Sequence, residues 1–181
     1  MISLSAPKYH SYSQAHALMG QMIRESTNDP YVRELATSLI KNIPSDDHFG
    51  ELEVLFEYVR DRIRYTADPT DEDLYQTASL TFETGVGDCD DKVIALGSLL
   101  RSVGFPVKMV FVFDAPPKYE TEFPAHVYLM ADQNKGSGQA KWIPLETIPV
   151  PGGRGGNILM GMGEIYPYGF PEEVEVLSRG L

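Results

Sequence analysis

The sequence predicts an α+β fold in which helices come first and an antiparallel β-sheet follows. Through much of the first half of the chain, apolar residues recur at spacings of three and four, the period of a helix that faces a core. After Pro106 the apolar residues alternate instead, in segments rich in Val, Phe, Tyr, Met and Ile. Helices followed by a run of strands favour an α+β arrangement over alternating α/β units.

Asp29 and Pro30 mark the boundary between the first two predicted helices. Asp29 suits the N-cap of the second helix, and Pro30 suits its first position, where an N–H group is not needed. A third helix is predicted after Asp47, and the polar residues 64–73 are predicted to form a loop. The apolar stripes of the three helices are Ala15, Leu18, Met19, Met22 and Ile23; Val32, Leu35, Ala36, Leu39, Ile40 and Ile43; and Leu52, Leu55, Phe56, Val59 and Ile63.

A fourth helical pattern runs from Cys89 to Val103, with Gly104 as its predicted C-cap. The glycine-rich residues 152–156 are predicted to form a flexible connection, and 166–177 a final segment that packs back on the body. The predicted strands between these regions are 106–114, 125–132 and 140–146.

The composition is that of a globular chain: 181 residues, of which 43% are hydrophobic and 23% charged. We expect one domain over residues 1–181, with a core at about 50–150, a helical part at 1–49 and a Gly/Pro-rich tail at 150–181. The 15 basic and 26 acidic residues give a net charge of −11. Because such a chain repels phosphate groups, nucleic acid is not an expected partner.

No stretch approaches the roughly 20 consecutive apolar residues of a membrane-spanning helix. The N-terminus also lacks the basic region and apolar core of a signal peptide. We therefore expect a cytoplasmic protein without a membrane partner. The single cysteine, Cys89, excludes an internal disulfide and a multi-cysteine zinc site within this sequence.

Cys89 has the local sequence of a nucleophile at a helix start. Glycines suit a tight turn at 85–87, Asp88 suits the N-cap, and Cys89 then falls at the first helical position. A thiolate there meets unpaired backbone N–H groups and the positive end of the helix dipole. The neighbouring acids Asp88, Asp90 and Asp91 act in the opposite direction and raise the pKa of a thiol. A partner histidine must therefore supply the positive charge.

His126 is the candidate for that partner, and a hairpin register links it to a carboxylate. The loop between the second and third predicted strands is centred on Gly136. A symmetric antiparallel hairpin about that centre places His126 directly opposite Glu146, with Cβ atoms about 4.5–5.5 Å apart. A carboxylate at that distance can hold an imidazole in one tautomer.

These three residues suggest covalent catalysis on an amide or ester. His126 takes the proton of Cys89, the sulfur attacks the carbonyl, and the Cys89 N–H with one other donor holds the oxyanion. His126 then protonates the leaving group and a thioester remains, which water or an amine resolves. Glu146 orients His126 throughout.

Several blocks in order resemble the core of the transglutaminase-like superfamily. The match covers about residues 50–150, and ordered blocks at fitting spacing are far more specific than a lone Gly-Asp-Cys. The blocks are Phe56-Glu57-Tyr58-Val59-Arg60, Ile63-Arg64-Tyr65, Gly87-Asp88-Cys89-Asp90-Asp91-Lys92, Leu96 to Leu100, Arg101-Ser102-Val103-Gly104-Phe105-Pro106-Val107, Ala125-His126-Val127-Tyr128 and Trp142-Ile143-Pro144-Leu145-Glu146.

The resemblance implies a papain-like fold with Cys89 as nucleophile, His126 as base and Glu146 as third member of a triad. The family usually has aspartate at the third position, so Glu146 is a departure by one methylene. The resemblance also implies a second oxyanion donor upstream of the cysteine, for which Tyr75 and Gln76 are both candidates. It implies a protein or peptide substrate and no cofactor, and it leaves the oligomeric state open.

Three functions are consistent with these residues. The first is a peptidase or amidase, the second is transglutaminase-type acyl transfer to an amine, and the third is a binding or structural protein without turnover. Cys89 could instead be a buried structural thiol, and the acids around it could suggest a metal site with His126. Acids at a helix N-terminus are better explained by capping, so no metal is predicted.

Overall fold

The computed structural model describes residues 4–5, 12–69, 74–113, 119 and 124–148, and the backbone of 170–177. The predicted glycine-rich connection at 152–156 lies outside these residues. Among the residues described, no helix has both the length and the apolar character needed to cross a membrane. The five α-helices formed by this part of the chain are α1 Tyr12–Ser26, α2 Pro30–Ile40, α3 His48–Arg62, α4 Ala78–Thr84 and α5 Cys89–Ser102.

The helix starts follow from their capping residues. The Asp29 carboxylate accepts the Tyr31 N–H at 2.8 Å, and Pro30 takes the first position of α2 as predicted. The Asp47 carboxylate accepts the Gly50 N–H at 2.9 Å at the start of α3. Each bond satisfies a backbone donor that the helix itself cannot satisfy.

Helix α4 was not among the predicted elements. Thr77 caps its start, and Gly85 ends it with φ +66°, a left-handed conformation that glycine adopts without steric cost. Seven residues are too few to show a clear helical period. At the end of α5 the C-cap is Val103, and the predicted C-cap Gly104 is the next residue, with φ +102°.

Four strands form the main sheet, in the order β7-β6-β5-β8, and every neighbouring pair is antiparallel. Two short pairs lie apart from it, β1 with β3 antiparallel and β2 with β4 parallel. The strands are β1 Leu4–Ser5, β2 Arg64–Tyr65, β3 Leu74–Tyr75, β4 Val86–Gly87, β5 Val107–Phe113, β6 His126–Asp132, β7 Trp142–Leu145 and β8 Phe170–Leu177.

Strand β2 corrects the loop predicted for 64–73. The N–H of Arg64 donates to Gly85 O at 2.9 Å, and that of Thr66 donates to Gly87 O at 3.0 Å. These bonds tie β2 to β4, immediately before Cys89. A pairing two residues long cannot produce an alternating sequence pattern, so the sequence did not show it.

Strand β8 confirms that the last segment returns to the body, as backbone paired with β5. It contains Pro171, which lacks the N–H group that a central strand would need. Its position at the sheet edge explains how the proline is accommodated.

Helix α5 is the centre of the fold and contacts the other four helices and β6. Its residues from Asp91 to Leu100 are buried on every side. One face of the sheet joins this core through Met109, Phe111 and Leu129, whereas Val110, Val112 and Tyr128 form a smaller cluster apart from it. The burial of α5 fixes the position of Cys89 at its N-terminus.

Candidate active site

The start of α5 is a closed capping box. The Asp88 carboxylate accepts the N–H groups of Asp90 at 3.0 Å and Asp91 at 3.3 Å, and the Asp91 carboxylate accepts the Asp88 N–H at 3.4 Å. Cys89 is the first helical residue, as predicted, and its N–H lies outside these bonds. A Cβ at Gly87 would come within 2.6 Å of the Asp91 Cβ, so the close turn requires glycine there.

Cys89 lies beside the beginning of β6. The backbone N–H of Val127 lies near enough to the Cys89 sulfur to lower the pKa of the thiol, and His126 is the residue before Val127. Cys89 and His126 line one cavity of about 200 Å³, which the helices and the sheet both border. The other residues that line it are Ala15, Met19, Tyr75, Asp88, Asp90, Phe111, Pro124 and Ala125.

His126 is held by Glu146. Its Nε2 lies 2.8 Å from Glu146 Oε2, and the Glu146 side chain is only 2% exposed. The other carboxylate oxygen, Oε1, accepts the Ile148 N–H at 2.6 Å. Because Nε2 is bound to the carboxylate, any proton exchange with Cys89 would use Nδ1.

The predicted register of the β6–β7 hairpin was wrong by two positions. Leu129 pairs with Leu145, so Glu146 lies one residue beyond β7 and diagonal to His126 rather than opposite it. The turn is asymmetric because the Asp132 carboxylate accepts three backbone N–H groups that follow it in the turn, those of Asn134, Gly136 and Lys141, at 2.8–3.0 Å. Because the register is shifted by an even number of residues, the His126 and Glu146 side chains stay on the same face of the sheet. They make contact diagonally across the strand pair.

The two candidates for the second oxyanion donor are in different environments. Tyr75 is 6% exposed and lines the cavity beside Cys89. The Gln76 amide instead donates to Asp91 Oδ2 at 2.7 Å and to Val86 O at 3.2 Å. These bonds direct the Gln76 amide to Asp91 and β4 rather than to the cavity, so the geometry favours Tyr75.

The Cys89 thiol is shifted toward its neutral form. Burial raises its pKa most, the charges of Asp90 and Asp88 raise it further, and the Val127 N–H lowers it. The thiol also donates to Asp90 Oδ1 at 3.6 Å. Burial, together with the charge of Asp91, raises the pKa of Asp88 to about 7. The predicted effect of the acids on the thiol is therefore present in the structure.

Lys92 is a buried cation that sequence reasoning missed. It is 2% exposed, and its ammonium donates to Ile63 O at 2.8 Å and to Arg60 O at 3.4 Å, at the end of α3. Burial lowers its pKa to about 8, although the charges of Glu146 and Asp61 act against this. The sequence signal was a lysine in the first turn of a helix with few polar positions.

Tyr65 is an exposed aromatic side chain near the thiol. It is 49% exposed and lies opposite Gly87 in the β2–β4 pair. Its pKa is raised by partial burial first and then by the charges of Cys89 and Asp88. In the sequence, Tyr65 was singled out only as part of the Ile63-Arg64-Tyr65 block that resembles the family core.

In the described part of the chain, one set of side chains has the spacing of metal ligands. The ligand atoms of Asp88, Cys89 and Asp90 lie within 4.8 Å of one another. The Asp88 carboxylate already accepts two backbone N–H groups. Those bonds are the capping role that the sequence predicted for it.

Comparison with known proteins identifies the family. The model of the transglutaminase-like superfamily matches residues 33–147. No curated protein matches the sequence.

Solved structures similar to this chain include the following two. One is a Parabacteroides distasonis protein provisionally described as a protease, with 13% identity and a TM-score of 0.56; the match covers 83% of this chain and 36% of that one. The other is Legionella pneumophila LapG, with 17% identity and a TM-score of 0.48, covering 72% of this chain and 73% of that one. The family match spans more than half of the sequence and includes Cys89, His126 and Glu146. The chain therefore belongs to the transglutaminase-like superfamily.

Proposed function

We propose that the protein is a cysteine-nucleophile hydrolase that cleaves an amide bond in a protein or peptide. The observation that carries this proposal is the shared cavity of Cys89 and His126, with His126 bound to a buried Glu146. A thiol, a base that can reach it and a carboxylate that orients the base are the components of covalent acyl chemistry.

The first half of the reaction forms a thioester. His126 Nδ1 accepts the Cys89 proton as the sulfur bonds to the carbonyl carbon, and the carbonyl oxygen becomes an oxyanion. The C–N bond then breaks, and the His126 imidazolium donates its proton to the leaving amine. Glu146 stabilises the imidazolium, which is positively charged only between these two steps.

The second half releases the acid. His126 removes a proton from water, the hydroxyl oxygen attacks the thioester carbon, and the C–S bond breaks. The Cys89 sulfur takes the proton back from His126. The enzyme returns to its starting protonation state.

Proton transfer is concerted with attack in this scheme. Burial and the Asp90 and Asp88 charges raise the pKa of Cys89, so the resting thiol is neutral. His126 then acts as a general base at the moment of attack rather than as the partner of a preformed thiolate. The oxyanion donors are the Cys89 N–H at the start of α5 and the Tyr75 hydroxyl.

Hydrolysis is our first choice over acyl transfer because the similar Parabacteroides protein is provisionally described as a protease. Both reactions share the thioester, and they differ in whether water or an amine reaches it. The experiment must therefore report both products.

The test uses a proteome-derived peptide library with a labelled primary amine, incubated with the protein and with Cys89→Ala. Mass spectrometry counts new peptide N-termini and labelled glutamine side chains. Cys89-dependent N-termini support the hydrolase, whereas Cys89-dependent labelling assigns acyl transfer in its place. If neither product exceeds the Cys89→Ala background, the proposal is wrong.

A further inference from the structure

We propose that Asp91 is a positioning residue that sets Tyr75 against Cys89. Asp91 does not line the cavity and would touch no substrate, so any effect that it has on the reaction passes through the residues that it positions. This inference rests on the proposed function, because Tyr75 matters only if an oxyanion forms at Cys89.

The Asp91 carboxylate holds the chain directly after Tyr75. Its Oδ1 accepts the backbone N–H of Gln76 at 2.7 Å, and its Oδ2 accepts the Gln76 side-chain amide at 2.7 Å. The backbone and the side chain of Gln76 are therefore each bound by one oxygen of the Asp91 carboxylate. The Tyr75 main chain is fixed by the residue that follows it.

The same carboxylate also holds the start of the nucleophile's helix. Asp91 Oδ2 accepts the Asp88 N–H at 3.4 Å and closes the capping box around Cys89. Asp91 is 1% exposed, and Gly87 leaves room for it. A buried carboxylate with every bond satisfied is a rigid connection, and here it joins the tyrosine strand to the cysteine helix.

A single amide substitution breaks this connection with little change of shape. In Asp91→Asn, one carboxylate oxygen becomes an NH₂ donor. If the NH₂ group takes the place of Oδ1, it faces the backbone N–H of Gln76. If it takes the place of Oδ2, it faces the side-chain amide of Gln76 and the backbone N–H of Asp88. A donor facing a donor loses its bond, and Tyr75 is no longer held in one place.

Two reactions with Cys89 separate the role of Tyr75 from that of the thiol. Acylation by p-nitrophenyl acetate passes through an oxyanion: the C–S bond forms, the ester C–O bond breaks and p-nitrophenolate leaves. Alkylation by iodoacetamide displaces iodide and forms no oxyanion. The ratio of the two rates therefore reports oxyanion stabilisation alone.

We expect Asp91→Asn and Tyr75→Phe each to slow acylation about tenfold, a fraction of the usual loss of one oxyanion donor, and to leave alkylation near the wild-type rate. The double variant should be no slower than Tyr75→Phe, since two residues that act through one contact are not additive. The inference would be overturned if the rate losses of the two single variants multiplied in the double variant. It would also be overturned if Asp91→Asn slowed acylation and alkylation equally.

Two further variants guard against a general loss of structure. Gln76→Leu removes the side-chain bond and keeps Asp91, and it should slow acylation less than Asp91→Asn does. Asp47→Asn is the control, because Asp47 also caps a helix by accepting a backbone N–H group, that of Gly50 at the start of α3, and it does not line the cavity. Both of its rates should stay near wild type.

The outcomes distinguish the two proposals. If the wild type shows no acylation beyond Cys89→Ala, the proposed function fails and the positioning role fails with it. If the wild type acylates at Cys89 while Asp91→Asn is unchanged, only the positioning role is wrong.

Discussion

His126 and Glu146 are in contact although they do not face each other across the hairpin. The register pairs Leu129 with Leu145, which leaves Glu146 diagonal to His126. Diagonal neighbours in an antiparallel pair are about 7–8 Å apart, yet Nε2 and Oε2 are 2.8 Å apart. The extra methylene of glutamate, relative to the aspartate usual in the family, spans this diagonal.

Shortening this side chain should therefore impair the base. Glu146→Asp keeps the charge but withdraws the carboxylate by one methylene, and we expect Cys89 acylation to slow about tenfold, which is less than the roughly 10²–10⁴-fold loss expected when a general base is removed. Glu146→Gln keeps the length and removes the charge that stabilises the imidazolium, and it should be at least as slow. The measurement is acylation by p-nitrophenyl acetate. Glu146→Asp at the wild-type rate would show that the diagonal geometry does not matter.

Asp90 should restrain the reactivity of the thiol. Its carboxylate accepts the Cys89 thiol hydrogen at 3.6 Å, and its charge raises the pKa of Cys89. Asp90→Asn removes that charge, so the pKa of Cys89 should fall and the iodoacetamide rate at pH 7 should rise several-fold, since about one pKa unit corresponds to tenfold in thiolate population. Asp46→Asn, before α3, is the control. A rate that is unchanged or lower in Asp90→Asn would contradict the assigned electrostatics.

Lys92 should stabilise the fold through the end of α3. Lys92→Met removes the donor to Ile63 O and Arg60 O. Leaving buried carbonyls unpaired should lower the free energy of unfolding at pH 7 by about 1–3 kcal/mol. Urea unfolding in the presence of a reductant measures this. A variant as stable as the wild type would show that these two bonds make no net contribution.

The effect of Lys92 should also depend on pH. Its pKa is about 8 in the folded protein and 10.5 when unperturbed. Between these values the unfolded chain binds more protons, so the contribution of Lys92 to the free energy of unfolding rises with pH. The difference in stability between wild type and Lys92→Met should therefore grow from pH 7 to pH 9.5. A difference that stays constant or shrinks would mean that Lys92 is not perturbed as described.

The helices that the sequence predicted are those with strong local signals. Asp29 and Asp88 cap helices as predicted, and the helix predicted to follow Asp47 starts there with Asp47 as its cap, because capping depends on a few adjacent residues. The apolar stripes predicted the first three helices for the same reason. The strands β5, β6 and β7 were predicted from alternation, with ends that differ by one or two residues.

The elements that were missed depend on distant partners. The β2–β4 pair is two residues long and has no local signature. The last segment was predicted to pack back on the body but not as a strand, since β8 contains Pro171 and is stable only as an edge of the sheet. The hairpin register was wrong because the Asp132 bonds shape the turn, and loop length alone does not show them.

At the site, sequence reasoning named Cys89, His126 and Glu146, and the fold brings all three together. It could not choose between Tyr75 and Gln76, because spacing along the chain does not show which of two adjacent side chains turns toward the cysteine. It also missed Lys92, whose local signal, a lysine in the first turn of a helix with few polar positions, does not by itself show burial. Their roles in a reaction stay predictions until Cys89 is tested.

The rate of Cys89 alkylation by iodoacetamide at pH 7, in the wild type and in His126→Ala, tests the proposed nucleophile–base pair most directly. His48→Ala, a substitution at the start of α3, is the control. If His126 takes the proton of Cys89, the wild type and the control should react more than about tenfold faster than His126→Ala, as expected for loss of a general base. Equal rates in all three proteins would contradict the pairing of Cys89 with His126.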